Sequence, residues 1–287
     1  MGERAVLALD IGGTKLAAGL VDASGALRSR SQVPTPATSD PEEVYAALRS
    51  VASMALGGET VEAVGVGCGG PMGRGGEQVS PLNIPAWRDF PLRGRLEEDL
   101  AVPVRVDNDA KALALGEGWL GAARGCANYL AMVVSTGVGA GLVVDGQLIH
   151  GEDGNAGHLG HLVVVPGGRR CACGVAGCLE AEASGTAIAA TTGAPAREAG
   201  PAVVERTGML VGMAVASAVT LLDLELACVA GSVALGFGQP FFDAANRALA
   251  EHTGLSYTAG ARIVPAGLGD AGPLVGAGAL WFGAVAR

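Results

Sequence analysis

The sequence predicts an α/β protein, and three observations support that class. Apolar strand-like segments alternate with helical segments along the chain. Of the 287 residues, 49% are hydrophobic but only 4% are aromatic, so the core is expected to be aliphatic and rich in alanine. The 47 glycines show no Gly-X-Y period, which excludes collagen and indicates many tight turns. The length suits one large domain or two medium ones.

The first half of the chain supplies a predicted hairpin, two buried strands and a helix. Residues 6–10 and 16–21 are predicted strands joined by a turn at Gly12 and Gly13. Residues 61–67 and 102–106 are apolar and are predicted as further strands. Residues 110–120 consist mainly of Ala, Leu, Lys and Glu, and are therefore predicted to be helical.

The second half repeats this alternation. Strands are predicted over residues 130–134, 140–144 and 226–230, the first two joined by the turn Ser-Thr-Gly-Val-Gly at residues 135–139. Residues 209–222 form an apolar helix that ends at Asp223. We expect this helix to be too short to span a bilayer and to lie in the core. Residues 273–285 form a last apolar helix.

Residues 14–21 can be laid over residues 136–143, because in each a Gly/Thr turn leads into a strand with the run Gly-Leu-Val. Two such units suggest two lobes of the same design. The alternative is that Gly-Leu-Val recurs by chance in a glycine-rich chain.

Charge and cysteine content restrict the class of partner and the compartment. The 19 Lys and Arg residues and 28 Asp and Glu residues give a net charge of −9, which disfavours nucleic acid and anionic membranes as partners. The first residues lack a basic region and a cleavable apolar region, so we expect no secretory signal. Three of the six cysteines are clustered and three are scattered, which argues against a disulfide scaffold. The cytoplasm is the expected compartment.

Two glycine turns have the chemistry of phosphate clamps. Asp10 ends a predicted strand and is followed by Gly12, Gly13 and Thr14, whose backbone N–H groups and hydroxyl can hold phosphate oxygens. A carboxylate beside phosphates suits Mg²⁺. The turn at residues 135–137 offers the same chemistry. The alternative for either turn alone is an ordinary hairpin connection.

Two common nucleotide-binding motifs are excluded. The P-loop pattern Gly-x-x-x-x-Gly-Lys-Ser/Thr is absent. Residues 65–70 match Gly-x-Gly-x-x-Gly, but Pro71 and more glycines follow where a dinucleotide-binding unit needs the start of a helix. We expect a strand that ends in a glycine loop there.

A histidine and three cysteines form a candidate metal site. His161, Cys171, Cys173 and Cys178 offer one nitrogen and three sulfurs, a set that suits structural Zn²⁺ in a closed tetrahedron. The alternative is a group of reduced buried thiols. Since these four residues fill the tetrahedron, His158 is expected to be a polar neighbour of the metal. Glu180 is either a ligand-facing carboxylate or a solvated acid at a helix start.

The run Asp107-Asn108-Asp109 ends one predicted strand and precedes a helix. An amide and a carboxylate at such a point can hold a sugar or alcohol, with one Asp accepting the proton of the attacking hydroxyl. The alternative is helix N-capping by Asp107 or Asn108. Beside two phosphate turns, the catalytic interpretation is favoured.

Five motifs, in order, resemble the ROK family of sugar kinases. They are residues 7–15 (Leu-Ala-Leu-Asp-Ile-Gly-Gly-Thr-Lys), 106–110 (Val-Asp-Asn-Asp-Ala), 135–139, 157–161 (Gly-His-Leu-Gly-His) and 171–180 (Cys-Ala-Cys-Gly-Val-Ala-Gly-Cys-Leu-Glu). The resemblance runs to about residue 185, with a weaker match at residues 230–233. It implies an α/β, two-lobed actin-like ATPase (ribonuclease H-like) fold with an interlobe cleft. We expect a small lobe over residues 1–108, completed by helix 273–287, and a large lobe over 109–272 with the zinc motif.

The same resemblance implies the roles of individual residues. Asp109 would be the general base that activates the 6-hydroxyl of a hexose. The implied sugar-binding residues are Gly70, Asn83, Asn108, Asp109, His158, His161 and Glu180, with His161 also serving zinc. The implied nucleotide-binding residues are Asp10, Gly12, Gly13, Thr14, Lys15, Thr136, Gly137 and Gly231, with Asp10 near Mg²⁺. ATP, Mg²⁺ and structural Zn²⁺ are the expected cofactors, and a homodimer is expected.

One departure from the family pattern concerns the sugar. His158 stands where most members have a Glu that contacts the sugar. Bacterial N-acetylmannosamine kinases are similar in having His-x-Gly-His, and some actinobacterial glucokinase-like members share the histidine. N-acetylmannosamine and glucose are therefore the expected sugars. Ala172 replaces a usual Gly between two cysteines, which leaves the ligand set unaffected.

The sequence disfavours two other function classes, a repressor and a sensor. A sugar-responsive ROK repressor would need a DNA-binding helix-turn-helix before the first strand, whereas five residues precede Val6 and the chain is acidic. A sensor that binds sugar without phosphorylating it is disfavoured by the presence of Asp10, Thr14, Asp109 and Thr136.

Overall fold

The computed structural model describes residues 4–283, and each half of this range contains a five-stranded mixed sheet. In the first sheet the order is β3-β2-β1-β4-β5. Its strands are β1 (Ala5–Ile11), β2 (Lys15–Asp22), β3 (Leu27–Pro34), β4 (Val64–Cys68) and β5 (Val104–Asn108). Strands β1, β2 and β3 pair antiparallel, whereas β4 and β5 extend the sheet in parallel from β1.

Helices connect and cover the strands of this first sheet. They are α1 (Pro41–Leu56), α2 (Leu92–Leu100), α3 (Asp109–Leu120) and, at the end of the described chain, α9 (Gly272–Phe282). Helix α1 begins at Asp40, whose side chain accepts a hydrogen bond from the Glu42 N–H, and ends at Gly57 with φ of 56°.

The second sheet has the order β10-β9-β6-β7-β8. Its strands are β6 (Tyr129–Val134), β7 (Val138–Val144), β8 (Gln147–Leu148), β9 (Leu226–Ala230) and β10 (Arg262–Pro265). The accompanying helices are α4 (Leu179–Ala183), α5 (Gly185–Thr192), α6 (Pro201–Leu222), α7 (Ser232–Phe237) and α8 (Gln239–His252).

The two sheets have the same plan, which supports the predicted internal repeat. Each is built on an antiparallel hairpin, β1-β2 in one and β6-β7 in the other. A third antiparallel strand extends one side of each hairpin, and two parallel strands extend the other. The turns of these hairpins are the two glycine turns that were predicted as phosphate clamps.

The chain divides into two compact units. The first comprises residues 4–121, 150–156 and 268–283 of the described chain, and the second comprises residues 122–149 and 157–267. Helix α3, which the predicted lobe boundary after residue 108 assigns to the second lobe, packs in the first unit. The lobe boundary stays a prediction.

Each unit has its own aliphatic core, as the composition indicates. In the first, side chains such as Leu7, Leu9 and Leu48 are fully buried. In the second, Leu130, Val211 and Phe241 are among the fully buried side chains. Burying each such side chain contributes about 1.5–3 kcal/mol, so these cores hold the strand ends that carry the site.

Helix α6 is longer than the sequence predicted. It extends over 22 residues, because Pro201 suits a first helical turn and the helix continues through the polar run Glu205-Arg206-Thr207, which interrupts the apolar pattern. Within residues 4–283 it is long and apolar enough to cross a membrane, so the expectation that it is too short was wrong. Its central residues are nevertheless buried against α8. A Cβ at Gly212 would lie 2.3 Å from the carbonyl oxygen of Ala245, so glycine permits this close packing. The core-helix prediction is thus confirmed.

The other predicted helix and strand boundaries differ from those in the structure by up to three residues. Several elements in the structure were not predicted from the sequence. The strands predicted over 61–67 and 102–106 are β4 and β5, which begin and end later. Strand β3 was missed because its residues are alternately exposed and half-buried and carry no apolar run. Helix α9 lies within the predicted 273–285 helix, whose last residues, 284 and 285, fall outside the described residues.

Candidate active site

The first unit brings acidic residues together where parallel strands end. In the sheet, Asp10 of β1 pairs in register with Gly67 of β4, which pairs with Asp107 of β5. Asp109 follows directly as the first residue of α3. A Cβ at Gly67 would lie 3.4 Å from Cα of Asp109, so the helix start approaches the strand end closely. Strand register therefore makes neighbours of residues about 100 positions apart.

Asp10 is electrostatically unusual. Its side chain is buried at the end of β1. Burial and the negative charge of Asp109 raise the pKa of Asp10 to about 7, against a smaller opposing effect of Lys15 and Arg30. A buried carboxylate that feels a second negative charge favours binding of a proton or a cation.

The β1-β2 turn is held from one side by a single threonine. The N–H of Gly12 donates to the Lys15 carbonyl at 3.0 Å, which closes the turn. Thr35 donates its hydroxyl to the Gly12 carbonyl at 2.7 Å and its N–H to the Thr14 carbonyl at 3.2 Å. The side chains of Thr14 and Lys15 are exposed, as a phosphate-binding role requires.

Asn83 lies against this turn. A Cβ at Gly13 would lie 2.5 Å from Cβ of Asn83, so only glycine permits this approach. The structure thus brings Asn83, which the resemblance assigns to the sugar, next to a glycine assigned to the nucleotide.

Asn108 caps the N-terminus of α3. Helix capping was one of the two interpretations of the run Asp107-Asn108-Asp109, the other being a catalytic role. Its Oδ1 accepts a 3.0 Å hydrogen bond from the N–H of Ala110 at the start of α3. Capping by Asn108 fixes its side chain beside Asp109. The capping interpretation is confirmed for Asn108, and it leaves the catalytic interpretation of Asp109 in place.

The glycine loop after β4 contains Gly70 and leads into a single 3-10 turn at Arg74–Gly76, and not into an α-helix. The peptide bond from Gly70 to Pro71 is cis. Met72, Val79 and Phe90 then pair as isolated antiparallel bridges, and α2 begins only at Leu92. The predicted strand that ends in a glycine loop is thus present, and no α-helix starts directly after residue 70.

In the second unit, the β6-β7 turn is tied to the start of α5. The Ser135 N–H donates to the Gly137 carbonyl at 2.9 Å. The Gly185 N–H donates to the Ser135 carbonyl at 2.7 Å, and the Thr186 hydroxyl donates to the Thr136 carbonyl at 2.9 Å. These bonds orient the backbone of the turn, and the Thr136 side chain remains exposed.

Gly231 ends β9 beside the same turn. Its φ is 101°, and a Cβ there would lie 2.3 Å from the carbonyl oxygen of Val134. The hydroxyl oxygens of Ser232 and Ser135 are 3.0 Å apart. The structure therefore groups Thr136, Gly137 and Gly231, which are far apart in sequence.

Glu180 is a bound carboxylate rather than a freely solvated acid. It lies at the start of α4, two residues after Cys178. Its Oε2 accepts a 2.9 Å hydrogen bond from the Val138 N–H, at the start of β7. The bond connects the predicted sugar residue to the strand that follows the Thr136 turn.

Four side chains form a cluster that could hold a metal ion. One ligand atom from each of His161, Cys171, Cys173 and Cys178 lies within 4.8 Å of the others. Nδ1 of His161 is 3.6 Å from Sγ of Cys171, and Sγ of Cys173 is 3.6 Å from Sγ of Cys178. The predicted ligand set is thus assembled as one group.

The thiols of this cluster differ in acidity. Burial raises the pKa of Cys171, and raises the pKa of Cys178 to about 12. The backbone N–H of Val175 lowers the pKa of Cys173. A bound metal cation deprotonates coordinating thiols and would offset the burial penalty of the Cys171 and Cys178 thiolates, so this donor set fits a metal.

His158 lies beside this cluster. Its ring centroid is 5.9 Å from that of His161. The predicted position of His158 as a polar neighbour of the metal ligands agrees with this distance.

Two buried charged residues near the site were missed by the sequence reasoning. Glu182 accepts hydrogen bonds from the Arg169 N–H at 2.7 Å and the Arg206 guanidinium at 2.6 Å. Lys111 pairs with Asp107 at 2.7 Å. The i, i+4 spacing of Asp107 and Lys111 is the one signal that the sequence offered.

The structure therefore assembles two sets of predicted residues, one in each unit. The set in the first unit comprises Asp10, Gly12, Gly13, Thr14, Lys15, Gly70, Asn83, Asn108 and Asp109. The set in the second unit comprises Thr136, Gly137, His158, His161, Cys171, Cys173, Cys178, Glu180 and Gly231.

The chain resembles known proteins in sequence and in fold. A model of the ROK family matches residues 6–284. The chain is 38% identical over 197 residues to a glucokinase of Halalkalibacterium halodurans, a match that covers 66% of this chain and 59% of that protein. It is 36% identical over 248 residues to an N-acetylmannosamine kinase of Escherichia fergusonii, covering 81% of this chain and 84% of that protein.

Solved structures of similar fold include two with substantial sequence identity. One is a ROK family glucokinase from Streptomyces griseus in complex with glucose and AMPPNP. It has a TM-score of 0.86 and 31% identity, and the match covers 96% of this chain and 98% of that one. The other is a ROK hexokinase from Thermus thermophilus, with a TM-score of 0.82, 38% identity and coverage of 96% and 97%. The predicted α/β, actin-like ATPase fold is confirmed.

Proposed function

The chain belongs to the ROK family, and from that premise we propose that it is an ATP-dependent sugar kinase. It transfers the γ-phosphoryl group to the 6-hydroxyl of a hexose or N-acetylhexosamine. The observation that carries this proposal is the placement of Asp109 at the start of α3, beside the capping residue Asn108 and close to the buried Asp10.

In this proposal Asp109 is the general base. It accepts the proton of the sugar 6-hydroxyl as the bond from that oxygen to the γ-phosphorus forms. The bond from the γ-phosphorus to the bridging oxygen breaks, and ADP leaves. Phosphoryl transfer depends on positioning and on charge neutralisation more than on covalent catalysis, so the fixed position of Asp109 matters most.

The two glycine turns would bind the nucleotide. In the first unit the residues are Gly12, Gly13, Thr14 and Lys15. In the second they are Thr136, Gly137 and Gly231. Exposed hydroxyls and backbone N–H groups in tight turns suit phosphate oxygens. The complex of the S. griseus relative with AMPPNP supports an adenine nucleotide as the donor.

Asp10 would hold Mg²⁺. Its raised pKa and its neighbour Asp109 give a buried negative site that a divalent cation suits. When bound, the ion neutralises charge on the phosphates of ATP.

The His161 and cysteine cluster would hold a structural Zn²⁺. Three sulfurs and one nitrogen complete a tetrahedron with no open position. Nδ1 of His161 is the ring nitrogen nearest Cys171, which leaves Nε2 to donate to a sugar hydroxyl. His161 would thus connect the metal to the substrate, together with His158 and Glu180.

Glucose and N-acetylmannosamine are the proposed sugars, since the relatives include both a glucokinase and an N-acetylmannosamine kinase. A coupled ADP-release assay with zinc-replete protein tests this directly. The panel comprises glucose, N-acetylglucosamine, N-acetylmannosamine, mannose and fructose. We expect turnover with glucose or N-acetylmannosamine, whereas sugar binding without ADP release for every sugar would favour the sensor alternative.

Some further expectations accompany this function. We propose a homodimer in the cytoplasm, with no nucleic-acid or membrane partner. A ROK family transcriptional regulator shares the fold with a TM-score of 0.80 but only 23% identity, so that likeness concerns the fold alone.

A further inference from the structure

A buried lysine in the first unit makes contacts that the proposed chemistry leaves unused. The Lys111 side chain is only 1% exposed, and its Nζ is 2.7 Å from Oδ1 of Asp107. The same Nζ donates to the Gly154 carbonyl at 3.0 Å and lies 3.2 Å from Nδ1 of His150. A buried ammonium group is stable only when it is fully partnered, so these contacts hold Lys111 and its partners together.

Two of these partners belong to a short segment that we call the strap, residues 150–156. The chain enters it from the second unit after Ile149 and leaves it at Gly157, yet the strap packs in the first unit. The Ala156 N–H donates to the His150 carbonyl at 2.9 Å, which closes the strap on itself. The strap contains no helix or strand, so its attachment to the first unit depends on individual hydrogen bonds.

A second attachment holds the strap through Asn155. Asn155 accepts a 3.2 Å hydrogen bond from the Met72 N–H and donates a 3.1 Å hydrogen bond to the Met72 carbonyl. Met72 is buried and follows directly after the Gly70-Pro71 loop. Asn155 therefore satisfies both backbone groups of a residue next to the proposed sugar loop.

The strap thus contacts two parts of the proposed sugar site, both in the first unit. Lys111 ties it to the first turn of α3, two residues after Asp109. Asn155 ties it to the loop that contains Gly70. A displacement of the strap would affect both places together.

We propose that Lys111 and Asn155 are positioning residues for the sugar acceptor, because they hold the strap between the first turn of α3 and the Gly70 loop. The proposal deepens the proposed kinase function and rests on it. Neither residue is expected to contact ATP, so their loss should weaken sugar binding selectively.

The test measures two things separately: the mobility of the strap by hydrogen exchange, and the kcat and KM values for sugar and ATP. Amide hydrogen exchange over residues 150–156 is followed by mass spectrometry in wild type, Lys111→Met and Asn155→Ala. We expect about tenfold faster exchange there in each variant, since a charge-assisted or paired hydrogen bond is lost. The KM for the sugar should rise by about tenfold, with the KM for ATP and the kcat unchanged.

Asn246 supplies a matched control. It makes the same two-way bond in the second unit, accepting from the Ile263 N–H at 2.9 Å and donating to the Ile263 carbonyl at 2.8 Å. Asn246→Ala should leave strap exchange and the sugar KM unchanged. If Lys111→Met does not fold, Asn155→Ala carries the test, because Asn155 is half-buried on a loop.

The outcomes separate this proposal from the proposed function. Unchanged strap exchange in Asn155→Ala, or equal increases in the KM values for sugar and ATP, would overturn the positioning role. Wild-type protein that phosphorylates no sugar would overturn the kinase function, while the exchange measurement would still show whether the strap is held as described.

Discussion

The carboxylates of Asp10 and Asp109 interact electrostatically, one at the buried end of β1 and the other at the start of α3. The charge of Asp109 adds to burial in raising the pKa of Asp10 to about 7. The arrangement exists because β1, β4 and β5 are parallel and in register, and because the start of α3 follows directly after β5.

Replacing Asp109 with Asn should remove the base and keep the shape of the site. We expect kcat to fall by about 10²–10⁴-fold, the usual contribution of a general base, with the sugar Kd nearly unchanged. The pKa of Asp10 should fall, because a nearby negative charge is gone. Coupled ADP release, calorimetric sugar binding and an NMR titration of Asp10 measure these three effects. Near-full turnover would rule out Asp109 as the base.

Asp10→Asn should change how stability depends on pH. The folded-state pKa of Asp10 is raised from 3.8 to about 7. Protonated Asp10 therefore favours the folded state, and this stabilising contribution is fully present below pH 3.8 and is lost as pH rises through 7. Without ATP or Mg²⁺, the variant should therefore be more stable than wild type at pH 8, by on the order of a few kcal/mol. Urea unfolding between pH 5 and 9 measures this. Asp270→Asn, at an exposed carboxylate of the first unit, should show no such crossover.

Glu182→Gln should destabilise the second unit. Burial alone would raise the pKa of Glu182, but the Arg169 N–H and the Arg206 guanidinium hold it below its usual value. Ionised Glu182 therefore stabilises the folded state. This stabilisation is present above the unfolded-state pKa of 4.5 and is lost as pH falls through the lower folded-state pKa. At pH 7 we expect a loss of about 1–3 kcal/mol, since Arg206 is partly solvated. Denaturant unfolding measures it.

A neighbouring exposed pair is the control for Glu182. Glu205 and Arg247 form a 3.0 Å ion pair with both side chains more than half exposed. Glu205→Gln should cost less than about 1 kcal/mol. Equal losses in the two variants would mean that the burial of Glu182 adds nothing.

Gly231→Ala should weaken nucleotide binding. A side chain at φ of 101° is strained, and its Cβ would lie 2.3 Å from the Val134 carbonyl oxygen, so the turn has to move. The KM for ATP should rise at least about tenfold, with a smaller change for the sugar. Gly236 in α7 has no neighbour within 4 Å of an added Cβ, so Gly236→Ala should leave both KM values unchanged. Initial-rate kinetics that show no difference between the two variants would contradict the assignment of Gly231.

Metal removal should destabilise the protein and abolish activity. Elemental analysis is expected to find one zinc per chain, lost in Cys178→Ser and on chelation, with a lower Tm in both cases. Cys126→Ser is the control, since Cys126 lies outside the cluster and contacts Glu225. Full zinc content in Cys178→Ser would show that the metal is bound elsewhere.

The sequence by itself determined the local chemistry of this protein. The hairpin turns of Gly, Ser and Thr depend on spacings of a few residues, which short-range geometry fixes. The same holds for the predicted metal ligands between His161 and Cys178, which lie close together in the sequence. The α/β class and most strands also followed from apolar runs. Boundaries shifted where polar residues continue an element, as at the start of α6.

Only the tertiary structure decided which distant residues are neighbours. The electrostatic interaction of Asp10 with Asp109 depends on the register of three strands, and the bond between Asn155 and Met72 spans 83 residues. Lys111 resembles any helical lysine in the sequence, and it becomes a buried anchor because the strap folds over it. These relationships arise from long-range packing and burial, which no local pattern of residues records.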